Sequence, residues 1–319
     1  MDFGIADAAI ARQAPGKPQR LCGPIKRLRQ TAAAFLAVVF AIAPSLHLFA
    51  ADPSGKASTS RSARDEAARS IPLDKLSPQA RSKVAAVLGD SSLFRHLPVQ
   101  TVDCEPDLFA YVAANPDVMV NIWELMGVTS VTFERIDADH FRCSDGDGTV
   151  ARVETVYRAP DMQIVYAEGS YDGPFFPKPV HGACIAVLRY TSAKDANGRF
   201  YETAKLDTFL HVDNVGVEFL AKVFQGLMGR TIDHNFSETI LFMGSVSRTA
   251  EVNPHGMQKM ISRLDQIDVQ RRREFAAVSS RVPARLAGMK PERDDDNPAL
   301  NEVIQSSAIS DRPVEFGPR

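Results

Sequence analysis

Residues 130–213 alternate strand-forming segments with short polar turns, and this limits the chain to folds built on one antiparallel sheet. VTFERI and HFRC flank the turn-prone DAD, and SDGDG marks the next reversal. TVARVETVYR, MQIVYAEG, ACIAVLRY and YETAKLDTFLHV follow, joined by APD, by SYDGPFFPKPVHG and by AKDANGR. Consecutive strands with connections this short pair with their sequence neighbours, so the six form a meander. In the last strand Ala204, Leu206, Leu210 and Val212 alternate with Lys205, Asp207, His211 and Asp213, which predicts one dry face and one wet face.

Helical patterns flank the meander. Ser77 and Pro78 open a short helix that ends near Gly89, with a hydroxyl cap and a proline at the first helical position. A strand is expected over residues 97–102, starting at a sheet edge because of Pro98. DLFAYVAA and ANPDVMVNIWELMG then read as two helices back to back. Asn115 suits the cap of the second, Pro116 its first position, Asp117 its positive end and Gly127 its stop. Met119, Ile122, Trp123 and Met126 share one face, while Val118, Val120 and Leu125 lie elsewhere around the helix. A helix apolar on several sides is buried by several neighbours. After Asp213 the 3.6 period returns in three stripes: Val217, Leu220, Ala221 and Phe224; Ile232, Phe236, Ile240 and Met243; Met257, Met260, Ile261 and Leu264.

This order of strand, two helices, six-stranded meander and helical C-terminus resembles the START-like helix-grip superfamily (SRPBCC). That group includes START lipid-transfer domains, the birch-pollen allergen family and polyketide cyclases. The resemblance covers residues 95–255 and is strongest at DLFAYVAANPDVMVNIWELMGVTSVTFERID. It implies an α+β fold in which a curved antiparallel sheet of about seven strands grips a long C-terminal helix. It further implies an apolar cavity between the two, holding an apolar or amphipathic small molecule such as a lipid. The chain departs from the family's single C-terminal helix at residues 226–229 and at Asn253-Pro254.

A length of 319 residues with 45% hydrophobic residues supplies one good core with extensions left over. The formal charge of -2 gives no electrostatic reason to expect nucleic acid. Lys17, Arg20, Lys26, Arg27 and Arg29 lead into the apolar run TAAAFLAVVFAIAPSLHLFA, followed by small residues at Ala50 and Ala51. That is the order of a secretory signal, cleaved or kept as an anchor, and it predicts export to the periplasm, the exterior or the envelope membrane. The expected organisation is a signal or anchor over 1–51, a flexible linker over 52–70, the domain with its helical extension over 71–285, and a disordered tail over 286–319. Beyond the signal, Cys104, Cys143 and Cys184 are neither a disulfide framework nor a zinc set, though one bridge fits the count. The triplet Asn235-Phe236-Ser237 matches a glycosylation acceptor but sits inside a helical pattern.

Few residues carry chemistry by spacing. His234 and Glu238 are one helical turn apart, but a metal needs a third ligand, so an ordinary surface pair is expected and no metal or cofactor. Glu154, Glu168, His181, Asp207 and His211 lie in or beside strands. A cyclase or dehydratase would need at least two such groups converging on a substrate. GxSxG, GxxxxGK and HExxH do not occur. The ligand-binding candidates are Trp123, Tyr166, Phe175, Phe176, Leu206, Leu210, Phe236 and Ile240. Trp123 reads as core first and cavity edge second. Phe175 and Phe176, in the connection 170–182, suit a rim over the cavity mouth, a membrane-surface or partner contact, or simple packing on the adjacent helix. Three readings stand: a carrier of an apolar molecule, a cofactor-free enzyme on the same fold, and a filled-core interaction module.

Overall fold

Among the described residues eight strands make one antiparallel sheet: β1 (Leu93–His96), β2 (Gln100–Asp103), β3 (Thr132–Arg135), β4 (His140–Ser144), β5 (Thr149–Ala159), β6 (Met162–Tyr171), β7 (Val180–Lys194) and β8 (Phe200–Val212). The computed structural model describes residues 56–173, 178–213, 215 and 229–287. The sheet order is β1-β8-β7-β6-β5-β4-β3, so the six meander strands pair as their turns demand. β1 and β2 lie end to end along the free edge of β8, β1 opposite residues 207–210 and β2 opposite residues 201–204. The single strand expected over 97–102 is therefore replaced by two. Leu97 still donates its N–H to Leu206 O at 2.9 Å, but Pro98 has no N–H to give, and the ladder resumes only at Gln100.

Among the described residues seven α-helices accompany the sheet: α1 (Arg61–Arg69), α2 (Pro78–Gly89), α3 (Pro106–Ala114), α4 (Pro116–Leu125), α5 (Gly229–Val252), α6 (Pro254–Ile261) and α7 (Val269–Ala287). The Ser77 hydroxyl accepts from Ala80 N at 3.1 Å and caps α2, as its sequence predicts. α4 starts at Pro116 and stops at Gly127, whose φ of 68° favours glycine. Asn115 does not cap α4 with its side chain. Its amide donates to Tyr111 O at 2.8 Å, closing α3, and its Oδ1 accepts from Arg135 on β3 at 3.0 Å. α5 is the long C-terminal helix, and Asn253 ends it by capping α6, its Oδ1 accepting from Gly256 N at 2.8 Å.

Both faces of the sheet are covered. On the inner face α3 to α7 bury one large cluster that includes Phe109, Ile122, Leu188, Leu206, Phe236 and Phe275. On the outer face Ala67 of α1 and Ala80, Val84 and Val87 of α2 pack on Ile164, Ile185, Val187 and Phe209. Two expectations are corrected here. Residues 52–70 are not a flexible linker throughout, because 61–69 form a helix whose Ser60 cap accepts from Ala63 N and whose Ala67 is buried. The odd positions of β8 are not a wet face either. Phe209 is fully buried beneath α2, and Asp207 is buried with ion partners of its own. The result is an α+β helix-grip architecture with a second helical layer on the outside.

The signal or anchor over 1–51 and residues 288–319 of the expected tail lie outside the described residues, as do residues 226–228 of the expected break before α5. No described helix is long and apolar enough to cross a membrane.

Candidate functional site: the inner face of the sheet

Register decides which side chains share the inner face. Cys184, Ala186, Leu188 and Tyr190 of β7 belong to the large inner cluster, so their register partners on β6 and β8 face inward too. Reading across β5, β6, β7 and β8 gives two neighbouring rows: Ala151, Gly169, Gly182, Val212; then Val153, Ala167, Cys184, Leu210. Ala186 pairs with Val165 in the next row. Six of these positions, Ala151, Ala167, Gly169, Gly182, Cys184 and Ala186, carry side chains no larger than a thiol, and they form one contiguous block. Ala167 is 0% exposed and Ala151, Cys184 and Ala186 are 1–2% exposed, so these four are covered, while Gly169 and Gly182 are partly exposed. Gly169 and Gly182 also permit close strand approach, since a Cβ on them would stand 2.2 Å from Val150 O and 2.5 Å from His211 O.

The apolar core parts along this block. Cys184 and Ala186 pack with the large cluster under α5, whereas their register partners Ala167 and Val165 pack with Phe141, Cys143, Ala151 and Val153 in a separate one. Phe133 of β3 touches both. A close-packed interior normally fills such a line with interdigitating side chains. Here the block offers only methyl groups, hydrogens and one thiol.

The residues singled out in the sequence divide between the two faces. Trp123, Leu206, Leu210, Phe236 and Ile240 come together in the large inner cluster, all nearly or fully buried, and Trp123 lies 5.9 Å from Phe242, ring centre to ring centre. Tyr166 belongs to the outer face instead. It packs under α2 with the Lys83 ammonium 5.1 Å from its ring centre, because even positions of β6 point outward. Phe175 and Phe176 lie outside the described residues. The block of small residues was not singled out by sequence. Its signal is the run of Ala, Gly and Cys in AEG and GACIA, which gains meaning only from cross-strand register.

None of the five strand-borne titratable candidates faces inward. Glu154 pairs in register with Tyr166, Glu168 and His211 flank Ala183, and His181 and Asp207 are odd positions of outward-facing sets. Asp207 is tied to His96 Nδ1 at 2.6 Å and to Arg189 Nη2 at 2.9 Å, and Arg189 also reaches Ser70 behind α1. His234 Nδ1 lies 3.8 Å from Glu238 Oε1, an i,i+4 pair on α5, and no group of three metal ligands occurs among the described residues. The described cysteines, Cys104, Cys143 and Cys184, are free and buried. Burial pushes the Cys143 and Cys184 thiols up to about 12, so neither is a thiolate nucleophile at neutral pH.

One inner-face acid remains. Glu202 of β8 is 0% exposed, takes the Ser192 hydroxyl on Oε1, and has no described partner for Oε2. Burial, and to a lesser degree the nearby Glu105, raise its pKa, against the lowering effect of the Ser192 bond. It sits at the far end of β8 from the small-residue block, opposite Val102 and Ser192.

α5 is held over the inner face by charge as well as by packing. Arg95 of β1 donates Nε to Asp233 Oδ1 at 2.7 Å and its Nη2 to the other carboxylate oxygen, a two-point contact across the edge of the sheet.

No protein-family profile and no curated protein matches this sequence. Among solved structures, a conserved protein from Geobacillus kaustophilus is similar at 13% identity over 44% of this chain and 93% of its own, with a TM-score of 0.28. Ara h 8.0201 is similar at 13% identity over 48% of this chain and 99% of its own, with a TM-score of 0.28. The di-domain ARO/CYC BexL from the BE-7585A biosynthetic pathway is similar at 12% identity over 56% of this chain and 59% of its own, with a TM-score of 0.26. Similarity at this level does not bear on function, and the α+β helix-grip architecture rests on strand order, register and the helices that cover the sheet.

Proposed function

We propose that the protein binds and carries an apolar or amphipathic small molecule, a lipid among the candidates, between the small-residue block of β5–β7 and the helical layer of α5. The observation that supports this reading is the parting of the inner core along Ala151, Ala167, Gly169, Gly182, Cys184 and Ala186. Apolar ligand sites are concave and lined mainly by apolar side chains, and a sheet floor without large side chains supplies that space. A carrier is favoured over an enzyme because Glu154, Glu168, His181, Asp207 and His211 all stand on the opposite face from this block. In the same reading the basic lead and apolar run before residue 51 direct export, and the aromatic connection 170–182 contacts a membrane or a partner.

The test is uptake by delipidated, folded protein of a fluorescent fatty acid, followed by energy transfer from Trp123, the only tryptophan in the chain. Micromolar affinity, about -8 kcal/mol, is expected. Removing about 300 Å² of ligand surface from water at about 25 cal/mol per Å² supplies about 7.5 kcal/mol before association costs. Ala186→Trp should abolish uptake while the far-ultraviolet circular dichroism stays unchanged. Folded wild-type protein that takes up neither a fatty acid nor a sterol analogue overturns the carrier reading in favour of a filled-core module.

A further inference from the structure

The outer face of the sheet holds an open pocket of about 670 Å³, on the opposite side from the proposed apolar chamber. It begins where α2 ends, with His211 Nδ1 2.7 Å from Asp90 O just past that helix. Arg152, Glu168, Ala183 and His211 stand side by side in one row across β5 to β8, with Val150, Ser170 and His181 in the next. The small Ala183 between Glu168 and His211 makes the depression.

The charges in this row are not spent on each other. His211 is engaged on both ring nitrogens, by Asp90 O and by Asp213 Oδ1 at 2.9 Å. Glu168 Oε2 accepts from the Tyr166 hydroxyl at 2.9 Å. Arg152 takes no ion-pair partner among the described residues, although Glu168 is its register neighbour. The comparable register pair Glu134 and Arg142 on β3 and β4 does meet, at 3.5 Å. A lone anion drawn to Arg152 would face Glu168, and a lone cation drawn to Glu168 would face Arg152. A ligand carrying both charges a few atoms apart satisfies each without leaving the other uncompensated. Val150, 53% exposed at the rim, offers apolar surface to its side chain.

We propose that this pocket binds a zwitterion of the α-amino-acid type, its carboxylate on Arg152 and its ammonium on Glu168. The two charges keep their water in the free protein, so affinity is modest, with a dissociation constant of about 1 mM. The site shares only Ala151, Gly169 and Gly182 with the floor of the apolar chamber, and its charged side chains stand on the opposite face of the sheet. The test is an NMR titration of the full-length chain with L-phenylalanine and with glycine, reading the backbone amides of Ser170 and Ala183, outer-face residues that line the pocket. L-Phenylalanine should shift these amides, while phenylacetate, which lacks the ammonium, and phenethylamine, which lacks the carboxylate, should bind at least about tenfold more weakly. Arg152→Gln and Glu168→Gln, both at exposed positions, should each weaken L-phenylalanine by a similar factor, and Ala186→Trp on the other face should leave it unchanged. Equal binding of the three aromatic compounds, or no shift with either amino acid at about 10 mM, overturns the proposal whatever the fatty-acid experiment shows.

Discussion

Replacing Ala167 by leucine separates an empty inner chamber from a filled one. Ala167 is fully buried on the inner face, between Val153 and Cys184 in register. Leucine adds three carbons there. If the space above the small-residue block is free, burying them at about 0.8 kcal/mol each gives about 2.4 kcal/mol. Fixing the leucine rotamers costs about 0.5–1 kcal/mol, which leaves about 1.5 kcal/mol of net stabilisation. If packed side chains already occupy the space, the same substitution overpacks it and costs about 1–3 kcal/mol. The two cases differ in sign. Urea unfolding of delipidated protein reads the difference as a shift in midpoint at constant slope, and the fluorescent fatty acid reads the lost volume as weaker uptake. A midpoint that falls, with uptake unchanged, would refute the reasoning that the inner face is floored for a ligand.

Three further outcomes are expected. Asp207→Ala should cost about 3 kcal/mol, at the lower end for a broken buried pair because Arg189 and His96 each keep 25% of their side chains exposed; thermal unfolding checks it, and a loss under about 1 kcal/mol would show that the trio is not a structural anchor. Glu202 has its pKa raised above the ordinary 4.5, so stability is full below that value and is lost as pH rises through the folded value; Glu202→Gln should therefore raise the melting temperature at pH 7 and above but not at pH 4, and an equal shift at both would contradict the buried-acid account. Expression in a secreting host should yield a mature N-terminus near Ala51 or Asp52, and an intact residue 31–50 segment on a membrane-bound product by mass spectrometry would favour the anchor.

The meander was readable because its turns are chemically explicit. DAD, SDGDG, APD and AKDANGR each reverse the chain, and the six strands fall between them. α2 and α4 were readable for the same kind of reason, a proline in the first turn and a glycine at or just after the end. α1 was not, because DEAAR presents no apolar stripe; its hydroxyl cap and one buried alanine are all that distinguish it from a linker. The outer helical layer changed the meaning of β8. Asp207 reads as a solvent-facing charge in one dimension, yet α1 and α2 close over it and Phe209, with His96 and Arg189 supplying its partners. The candidate site was half legible. Leu206, Leu210, Phe236 and Ile240 are inner-face residues as their periods predict, but they make packed core. The small-residue block emerges from pairing β5 with β6 and β6 with β7, information that no single strand contains. Tyr166 went to the wrong face for the same reason, since alternation along one strand does not say which side the helices will cover.

The central claim is that a ligand lies over the small-residue block. The direct measurement is a set of intermolecular nuclear Overhauser effects between a carbon-13-labelled fatty acid and the methyl groups of Ala151, Ala167 and Ala186 in the delipidated, reloaded full-length chain. The account predicts cross-peaks from the acyl chain to these three buried methyls and none to Val150 or Ala183 on the outer face. Saturated, folded protein whose acyl chain gives cross-peaks only to outer-face or surface methyls would contradict it.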